Sequence, residues 1–222
     1  MKNEKIAIIG GTGKEGKGLA FRWLEAGYEV IIGSRKTEKA LQAVAELRKL
    51  ISPENNHKIS GKMNHNAAAE ASIVVITVPF AFHKNILQSI KPFVQGKVVL
   101  DVTVPLVPPR VSTVQIPYEG SAALFAQETL GKNVKVISAF QNISFELLLG
   151  NKPIECDVLV CGTDKATREL GVRLVHDAGL NGWDAGPLEN SIVAEALTSI
   201  LIRINKKYGS LSAGICITGV DK

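Results

Sequence analysis

Short apolar runs alternate along the chain with longer segments in which apolar residues recur every three or four positions. Runs that are apolar on both faces are typical of strands buried in a parallel sheet, and the segments with helical spacing supply the helices that cover it. The predicted strands span residues 6–9, 28–32, 58–61, 73–78, 98–101 and 135–138, and the predicted helices span 17–24, 38–50, 66–70 and 120–130. This alternation predicts an α/β fold with a Rossmann-type, doubly wound, mostly parallel sheet.

The pattern restarts near residues 150–153, where Gly150 and Pro153 interrupt it. Beyond this point we predict strands at 157–161 and 180–184, helices at 165–176 and 192–208, a turn at 184–191 and a β-like tail at 212–218. We therefore expect a dinucleotide-binding domain over residues 1–150 and a small C-terminal α/β domain over 151–222 that closes a cleft. Prolines throughout 102–119 predict an extended loop at the rim of that cleft.

A glycine-rich turn joins the first predicted strand to the first helix. It reads Gly11-x-Gly13-x-x-Gly16, in the strand–turn–helix context that a dinucleotide fingerprint requires. The first glycines permit a tight turn and let backbone N–H groups approach a pyrophosphate, while Gly16 allows the helix to pack closely on the strand. The alternative is a tight turn that binds nothing. We favour the cofactor interpretation because the helix N-terminus adds partial positive charge at this point.

The end of the second strand indicates which dinucleotide binds. NAD-preferring sites usually carry an acidic residue here, but this chain has Gly33-Ser34-Arg35, followed by Lys39 one helical turn later. A hydroxyl, a planar guanidinium and an ammonium all suit a 2′-phosphate. The alternative is a solvated helix start. The sequence favours NADP.

Composition and charge bear on the partners, the location and the metal content that we expect for the protein. The net charge is +5 and the charges are dispersed, without a basic run interleaved with aromatic residues, which makes nucleic acid an unexpected partner. The longest apolar run, 73–82, is too short to span a bilayer, and the amino terminus enters the first strand directly, so we expect a cytoplasmic protein. The three cysteines and four histidines show no metal-ligand spacing, so no metal site is expected.

Two residues follow the predicted strand at 73–78, at the edge where ligands of parallel sheets bind. Phe80 either contacts the adenosine side of a cofactor, which we favour, or packs the next helix. His83 is predicted to lie on the surface of that helix. Polar residues at 141–144 suit a nicotinamide carboxamide or its partner ring. Ala213 and Gly214 would let a flat ring approach the backbone or would ease close packing, and the sequence leaves this choice open.

These features together resemble one family, the NADPH-dependent reductases of coenzyme F420 (reduced coenzyme F420:NADP oxidoreductases). The matching motifs occur in family order over residues 10–13, 16–20, 33–35, 38–39, 78–79, 105–108, 120–123, 138–140, 157–162 and 184–188. The glycine and Ser-Arg motifs are shared with other NADP proteins, including the cytosolic domain of membrane ferric reductases. The carboxy-terminal motifs are more specific to the family.

The resemblance implies a deazaflavin, coenzyme F420, as co-substrate, and a homo-oligomer. By position it implies that the NADP phosphates are bound by Thr12, Gly13, Lys14, Glu15, Ser34, Arg35 and Lys39. It further implies roles for Val78, Phe80 and Pro109 along the path of NADP, for Gln141, Ile143 and Phe145 by the nicotinamide, and for Ala213 beside the deazaflavin. Gly11 and Gly16 are predicted to be cofactor-binding as part of the glycine fingerprint. Archaeal members have a histidine at the position of Gln141.

The leading functional hypothesis is hydride transfer between NADP(H) and coenzyme F420 by direct ring-to-ring contact. No Ser/His/Asp set or pair of catalytic carboxylates is apparent, and transfer between stacked rings requires chiefly proximity and alignment. We therefore assign no catalytic residue. The alternatives are an NADPH-dependent reductase of a flavin, a quinone or a ferric acceptor, and an NADP(H)-binding sensor without activity.

Overall fold

One sheet organises the fold over residues 4–150 and 152–220, the ranges that the computed structural model describes. Its strands are β1 (Lys5–Ile9), β2 (Glu29–Ser34), β3 (Ile59–Met63), β4 (Ile73–Ile76), β5 (Val98–Asp101), β6 (Lys135–Ser138), β7 (Asp157–Gly162) and β8 (Asn181–Pro187). They lie in the order β3-β2-β1-β4-β5-β6-β7-β8. Neighbouring strands pair in parallel from β3 to β6 and again between β7 and β8, whereas β6 and β7 are antiparallel.

Helices cover both faces of this sheet. They are α1 (Lys14–Glu25), α2 (Thr37–Leu47), α3 (Asn64–Glu70), α4 (Phe80–Ile90), α5 (Ala122–Leu130), α6 (Phe145–Leu148), α7 (Lys165–Asp177) and α8 (Ser191–Tyr208). Along β1, Ile6 and Ile8 join the core on the side of α1, α2 and α7, while Ala7 and Ile9 join the core on the side of α3, α4 and α5. The doubly wound, mostly parallel sheet predicted from the apolar runs is confirmed.

Buried polar contacts join the first half of the chain to the second. The guanidinium of Arg22 on α1 donates to the carbonyls of Leu147, Leu148 and Lys152 at 2.9–3.1 Å. The indole of Trp23 donates to the carbonyl of Leu174 on α7 at 2.9 Å. Buried polar groups need hydrogen-bond partners, and these carbonyls supply them to Nε and Nη2 of an arginine that is only 9% exposed. These bonds hold α1, with its glycine turn, against the elements that follow residue 140.

The sheet runs on through the predicted domain boundary, because β7 and β8 extend it beyond β6. Asn151, at that boundary, lies outside the described residues, as do 1–3 and 221–222. The division into domains at residue 150 stays a prediction. Within the described ranges, each helix is too short or too polar to cross a bilayer.

The second half departs from prediction at two places. The turn predicted at 184–191 is wrong over its first part, since β8 continues to Pro187 with a shift of register opposite 160–162 of β7. The tail at 212–218 was predicted to be β-like but forms no strand. It bonds to the first residue of β7: Asp157 N–H donates to the carbonyl of Ile215, and Ile217 N–H donates to the Asp157 carboxylate. An apolar sequence pattern does not reveal that a segment meets the sheet through a single backbone hydrogen bond and not through a full strand pairing.

Candidate functional site

The turn between β1 and α1 brings three backbone segments together. Gly10 has a φ of +77°, and a side chain there would lie 2.6 Å from Val78 Cγ1. Gly11 N–H donates to the carbonyl of Gly33 at 3.0 Å, which joins the turn to β2. A Cβ on Gly16 would lie 2.6 Å from the Cα of Gly11. The predicted role of Gly16 in close packing is therefore confirmed, since any larger residue would push α1 off the turn.

The N-terminus of α1 has no side-chain cap among the described residues. Gly13 occupies the N-cap position, and Thr12 beside it is partly exposed. Helix termini leave their first backbone N–H groups without partners inside the helix, so this end can bind an anion. Lys14 is exposed, and its Nζ lies 4.6 Å from the centroid of the Phe145 ring. The turn thus presents N–H donors and one nearby cation.

Glu15 stands in the first turn of α1, where a carboxylate would repel a bound phosphate. Its Oε1 is buried and, within the described part of the chain, has no hydrogen-bond partner. Burial raises the pKa of this carboxyl to about 8. At pH 7 the group is therefore mostly protonated, so it carries an O–H donor and little charge. In this state Glu15 is compatible with an anion at the end of α1.

A cationic cluster lies at the carboxyl end of β2. Ser34 is 5% exposed, and its hydroxyl oxygen accepts from the backbone N–H of Lys36 at 3.4 Å. The guanidinium of Arg35 is exposed and lies 5.5 Å from the centroid of the Phe82 ring. Lys39 follows on the first turn of α2. A hydroxyl, a guanidinium and an ammonium are therefore brought to one end of one strand.

The cluster faces a cavity of about 1090 Å³ at the carboxyl ends of β1, β2 and β4. Six predicted cofactor residues line it: Thr12, Gly13, Ser34, Arg35, Lys39 and Val78. The lining also includes Gly10, Lys36, Met63, Asn64, His65, Thr77, Pro79, Phe82, Asn85, Ile86, Ser89 and Phe93. No aspartate or glutamate is among these described lining residues, so the wall around the cations contributes no fixed negative charge.

Some of these lining residues were missed by the sequence reasoning. Asn64 begins α3, is 7% exposed, and its Oδ1 lies 3.5 Å from the N–H of Gly10. It follows β3, so the rule that ligands bind at the carboxyl ends of parallel strands could have indicated it. Phe82 is 49% exposed and has no comparable signal in the sequence. Phe80 and Pro109, both predicted along the cofactor path, do not line this cavity.

The prediction for His83 is wrong. The side chain is 1% exposed, and its Nε2 lies 2.6 Å from Asp101 Oδ2 at the end of β5. His83 shares the inner face of α4 with Ile86 and Ile90, three and seven residues later, and this spacing could have shown that it points inward. Its ring also stacks on Phe80 with centroids 6.2 Å apart. Phe80 thus contacts the next turn of its own helix, and its contact with the cofactor stays a prediction.

Asp101 connects this pair to the segment after β6. Its Oδ1 accepts from Thr103 N–H at 2.9 Å, and its carbonyl accepts from Gln141 Nε2 at 2.8 Å. Gln141 Nε2 also donates to Ser138 Oγ at 2.9 Å. With its NH₂ group so engaged, Gln141 turns its carbonyl oxygen away from these partners. That Oε1 is buried and, among the residues described, lacks a hydrogen-bond partner.

The residues around Gln141 are held in a strained, irregular segment. Phe140 is buried with a φ of +73°, and its ring meets Trp23 edge to face at 5.8 Å. Non-glycine residues adopt this conformation at a cost that surrounding packing must offset. Ile143 is 7% exposed, and Phe145 begins α6 against the glycine-turn helix. This segment therefore carries all three residues that are predicted to lie beside the nicotinamide, namely Gln141, Ile143 and Phe145.

The carboxy-terminal tail lies against the same segment. Ser144 Oγ donates to the carbonyl of Leu211 at 3.1 Å, and Ala213 N–H donates to Asn205 Oδ1 on α8 at 2.9 Å. A Cβ on Gly214 would lie 2.4 Å from Cys156 Sγ. Close packing therefore explains the glycine at 214. The sequence left packing and contact with a flat ring open for both Ala213 and Gly214, and the structure answers this for Gly214.

Comparisons with known proteins agree with this geometry. Residues 5–105 match the family described as NADP oxidoreductase, coenzyme F420-dependent. The F420-dependent NADP reductase of Methanocaldococcus jannaschii is 37% identical over 98% of this chain and 99% of its own. The enzyme of the same name from Methanothermobacter marburgensis is 39% identical over 98% of this chain and 100% of its own. A crystal structure from Arthrobacter sp. FB24 shares the fold, with a TM-score of 0.79 at 22% identity over 97% of this chain and 100% of that one.

Proposed function

Because this chain belongs to the coenzyme F420-dependent NADP oxidoreductases, we propose that it transfers a hydride directly between NADP(H) and the deazaflavin coenzyme F420. The observation that carries this proposal is the cationic cluster of Ser34, Arg35 and Lys39 on a cavity without acidic residues in its described lining. Those groups suit the 2′-phosphate that distinguishes NADP from NAD. The glycine turn beside them suits the pyrophosphate.

The adenosine half of NADP would occupy the cavity itself. Arg35 would form charge-assisted hydrogen bonds with the 2′-phosphate, and each such bond contributes about 1.5–3 kcal/mol. The Phe82 ring, which faces the same guanidinium, offers a flat apolar surface beside the place of the adenine. Protonated Glu15 would donate to the pyrophosphate or stay neutral beside it. The residues present therefore fit the cofactor.

The nicotinamide half would extend toward Gln141. A buried carbonyl oxygen without a partner is costly, and an amide N–H from a bound ring would satisfy it. Ile143 and Phe145 would pack beside the same ring, and Ala213 would border the deazaflavin. Together these side chains would orient two rings and keep water from between them, which suits a reaction that depends on alignment.

The coenzymes would supply the chemistry when bound: a hydride would pass from NADPH to the deazaflavin, and the proton that the deazaflavin nitrogen also gains would come from water, with the reverse in the other direction. The chain supplies binding and orientation, and no side chain is assigned as acid or base. We further propose that the protein acts in the cytoplasm as a homo-oligomer, as the family resemblance implies.

Titration of the purified protein with NADPH and separate acceptors tests the proposal. We expect coenzyme F420 to be reduced as NADPH is oxidised, one for one, when absorbance is followed at the nicotinamide and deazaflavin bands. A flavin, a quinone and a ferric chelate serve as competing acceptors and should react far more slowly. If the protein bound NADPH but no acceptor oxidised it, only the sensor hypothesis would remain. Faster reduction of a flavin, a quinone or a ferric chelate would make that compound the acceptor in place of F420.

A further inference from the structure

Two of the three cysteines lie where the tail that follows α8 meets the start of β7. Cys156 directly precedes β7 and is 3% exposed, whereas Cys216, in the tail, is exposed. The third cysteine, Cys161, is buried within β7. All three are free thiols. One buried thiol and one exposed thiol therefore stand on the two sides of the same contact.

Backbone contacts bring these two thiols close together. Cys216 Sγ lies 3.8 Å from the carbonyl oxygen of Glu155, the residue before Cys156. In turn, a Cβ on Gly214 would lie 2.4 Å from Cys156 Sγ, so the buried thiol packs against the tail two residues before Cys216. Each sulfur atom therefore lies beside the backbone that flanks the other cysteine.

The surroundings of each sulfur determine which one reacts first. Burial is the main cause that raises the pKa of the Cys156 thiol, and the neighbouring Cys216 sulfur raises it further. Cys156 therefore keeps its proton at neutral pH and is shielded from solvent. Thiol–disulfide exchange requires a thiolate that the reagent can reach, and Cys216 is the accessible group of the two. An incoming reagent would meet Cys216 first.

We propose that Cys156 and Cys216 form a thiol-modification site, which reacts with low-molecular-weight disulfides and closes into a disulfide bond between the tail and the start of β7. The Cys216 thiolate attacks one sulfur of the reagent and displaces the other as a thiolate, which leaves a mixed disulfide on Cys216. Cys156 then gives up its proton, attacks the Cys216 sulfur and displaces the second thiolate. The two cysteines lose two electrons and two protons in total, and the reagent gains them as two small thiols.

This bond would fix a tail that is otherwise attached by hydrogen bonds. Ser144 Oγ donates to the carbonyl of Leu211 at 3.1 Å, and Ile217 N–H donates to the Asp157 carboxylate at 2.6 Å. Ala213, which is predicted to lie beside the deazaflavin, is between these two attachments. A covalent bond in this short stretch would keep the tail from moving when a planar coenzyme enters. We expect the oxidised form to admit that coenzyme more slowly.

Cys156 also contacts the segment that is predicted to lie beside the nicotinamide. Asn142 Nδ2 lies 3.5 Å from Cys156 Sγ and 2.7 Å from the carbonyl oxygen of Asp157. Movement of the sulfur toward Cys216 would remove the first of these contacts, one residue from Gln141. The cavity proposed for adenosine, in contrast, has no cysteine in its described lining. Oxidation would therefore slow the reaction with coenzyme F420 and leave NADPH binding unchanged, a consequence that rests on the proposed function.

Mass spectrometry of the full chain, after incubation with oxidised glutathione, tests the site itself. We expect the intact mass to fall by two hydrogen atoms and a digest to show the peptides of Cys156 and Cys216 joined. Cys161→Ser, which removes the buried thiol of β7, is the matched control and should form the same bond. Cys216→Ser should form no bond, and Cys156→Ser should stop with glutathione attached to Cys216. Circular dichroism verifies that the serine variants are folded.

Three results would overturn the site. The first is a wild-type chain that keeps all its thiols, and the second is one that stops with glutathione attached to Cys216. The third is a bond between the Cys216 residues of two copies, which electrophoresis without a reductant would reveal as a species of doubled mass.

A kinetic measurement tests the effect on the cleft. Oxidised wild type should bind NADPH with an unchanged dissociation constant but reduce F420 roughly tenfold more slowly, and dithiothreitol should restore the rate. Cys216→Ser should react equally fast with and without oxidised glutathione. An unchanged rate in the disulfide-bonded chain would overturn the effect on the cleft. If the wild type failed to reduce F420 before oxidation, the proposed function would fail, and the mass measurement would still decide whether the thiol pair exists.

Discussion

The two halves of the proposed cleft are built in different ways. The adenosine half lies at the carboxyl ends of adjacent parallel strands, and its glycine turn and cationic cluster each come from one short stretch of sequence. The acceptor half consists of irregular segments at 139–145 and 210–218, positioned by bonds to residues far away in the chain. The proposed NADP site is therefore encoded locally, whereas the proposed site for its redox partner depends on the assembled fold.

The largest expected effect concerns the joint between the halves, the buried pair of His83 and Asp101. His83→Leu removes a partner of a buried carboxylate and should lower the free energy of unfolding by about 3–5 kcal/mol in urea denaturation. His57→Leu, a matched change at an exposed histidine, should alter it by less than about 0.5 kcal/mol. The folded His83→Leu variant should still bind NADPH in preference to NADH. Loss of this preference would mean that the adenosine half does not form independently of the His83–Asp101 pair.

The next effect isolates the adenosine half. Arg35→Ala with Lys39→Ala removes the proposed charged partners of the 2′-phosphate, and it should weaken NADPH binding roughly a hundredfold or more in calorimetric titration. Binding of NADH should change little, because NADH lacks the phosphate. Lys49→Ala, which removes a cation from the exposed turn after α2, serves as the control. Equal losses for NADPH and NADH would remove the assignment of this cluster.

A smaller effect isolates the acceptor half. Gln141→Ala should lower kcat/KM for F420 about tenfold through loss of the oriented carbonyl oxygen, with the dissociation constant of NADPH nearly unchanged. Gln141→His introduces the residue that the family resemblance implies for archaeal members, and it should retain more activity than Gln141→Ala. If Gln141→Ala weakened NADPH binding by the same factor as it lowered kcat/KM, the role of Gln141 would be to bind NADP and not to orient the acceptor.

The smallest effect is a pH dependence at Glu15. Its carboxyl keeps a proton in the folded state up to pH about 8 but loses it near pH 4.5 when unfolded, so its contribution to stability falls as pH rises between these values. Glu15→Gln removes this decline. The variant should match wild type near pH 4 and have the larger free energy of unfolding at pH 8 and above, where the wild-type carboxyl has lost its proton in both states. A gap that is constant with pH would show that Glu15 titrates normally.

Much of the adenosine half could be predicted because its signals are local. An apolar run ending in glycines fixes both a buried strand and the turn after it, and Ser34 and Arg35 follow the next strand directly. The sequence reasoning misplaced His83 because it did not use the helical spacing that His83 shares with Ile86 and Ile90, and because its partner, Asp101, lies eighteen residues away on β5. The sequence could not predict that Gln141 Oε1 is left without a described partner. That result depends on the bonds of the Gln141 NH₂ group to Asp101 and Ser138, residues that only the fold brings close to it.

Direct transfer between the two rings is the central claim, and an isotope experiment tests it most directly. NADPH carrying deuterium at the transferable position of the nicotinamide is incubated with the protein and F420 in ordinary water, and the reduced deazaflavin is examined by NMR and mass spectrometry. The account predicts one deuterium on the reacting carbon of the deazaflavin ring. Reduced F420 without deuterium would show that the hydrogen passes through an exchanging carrier, and direct transfer in a shared cleft would be contradicted.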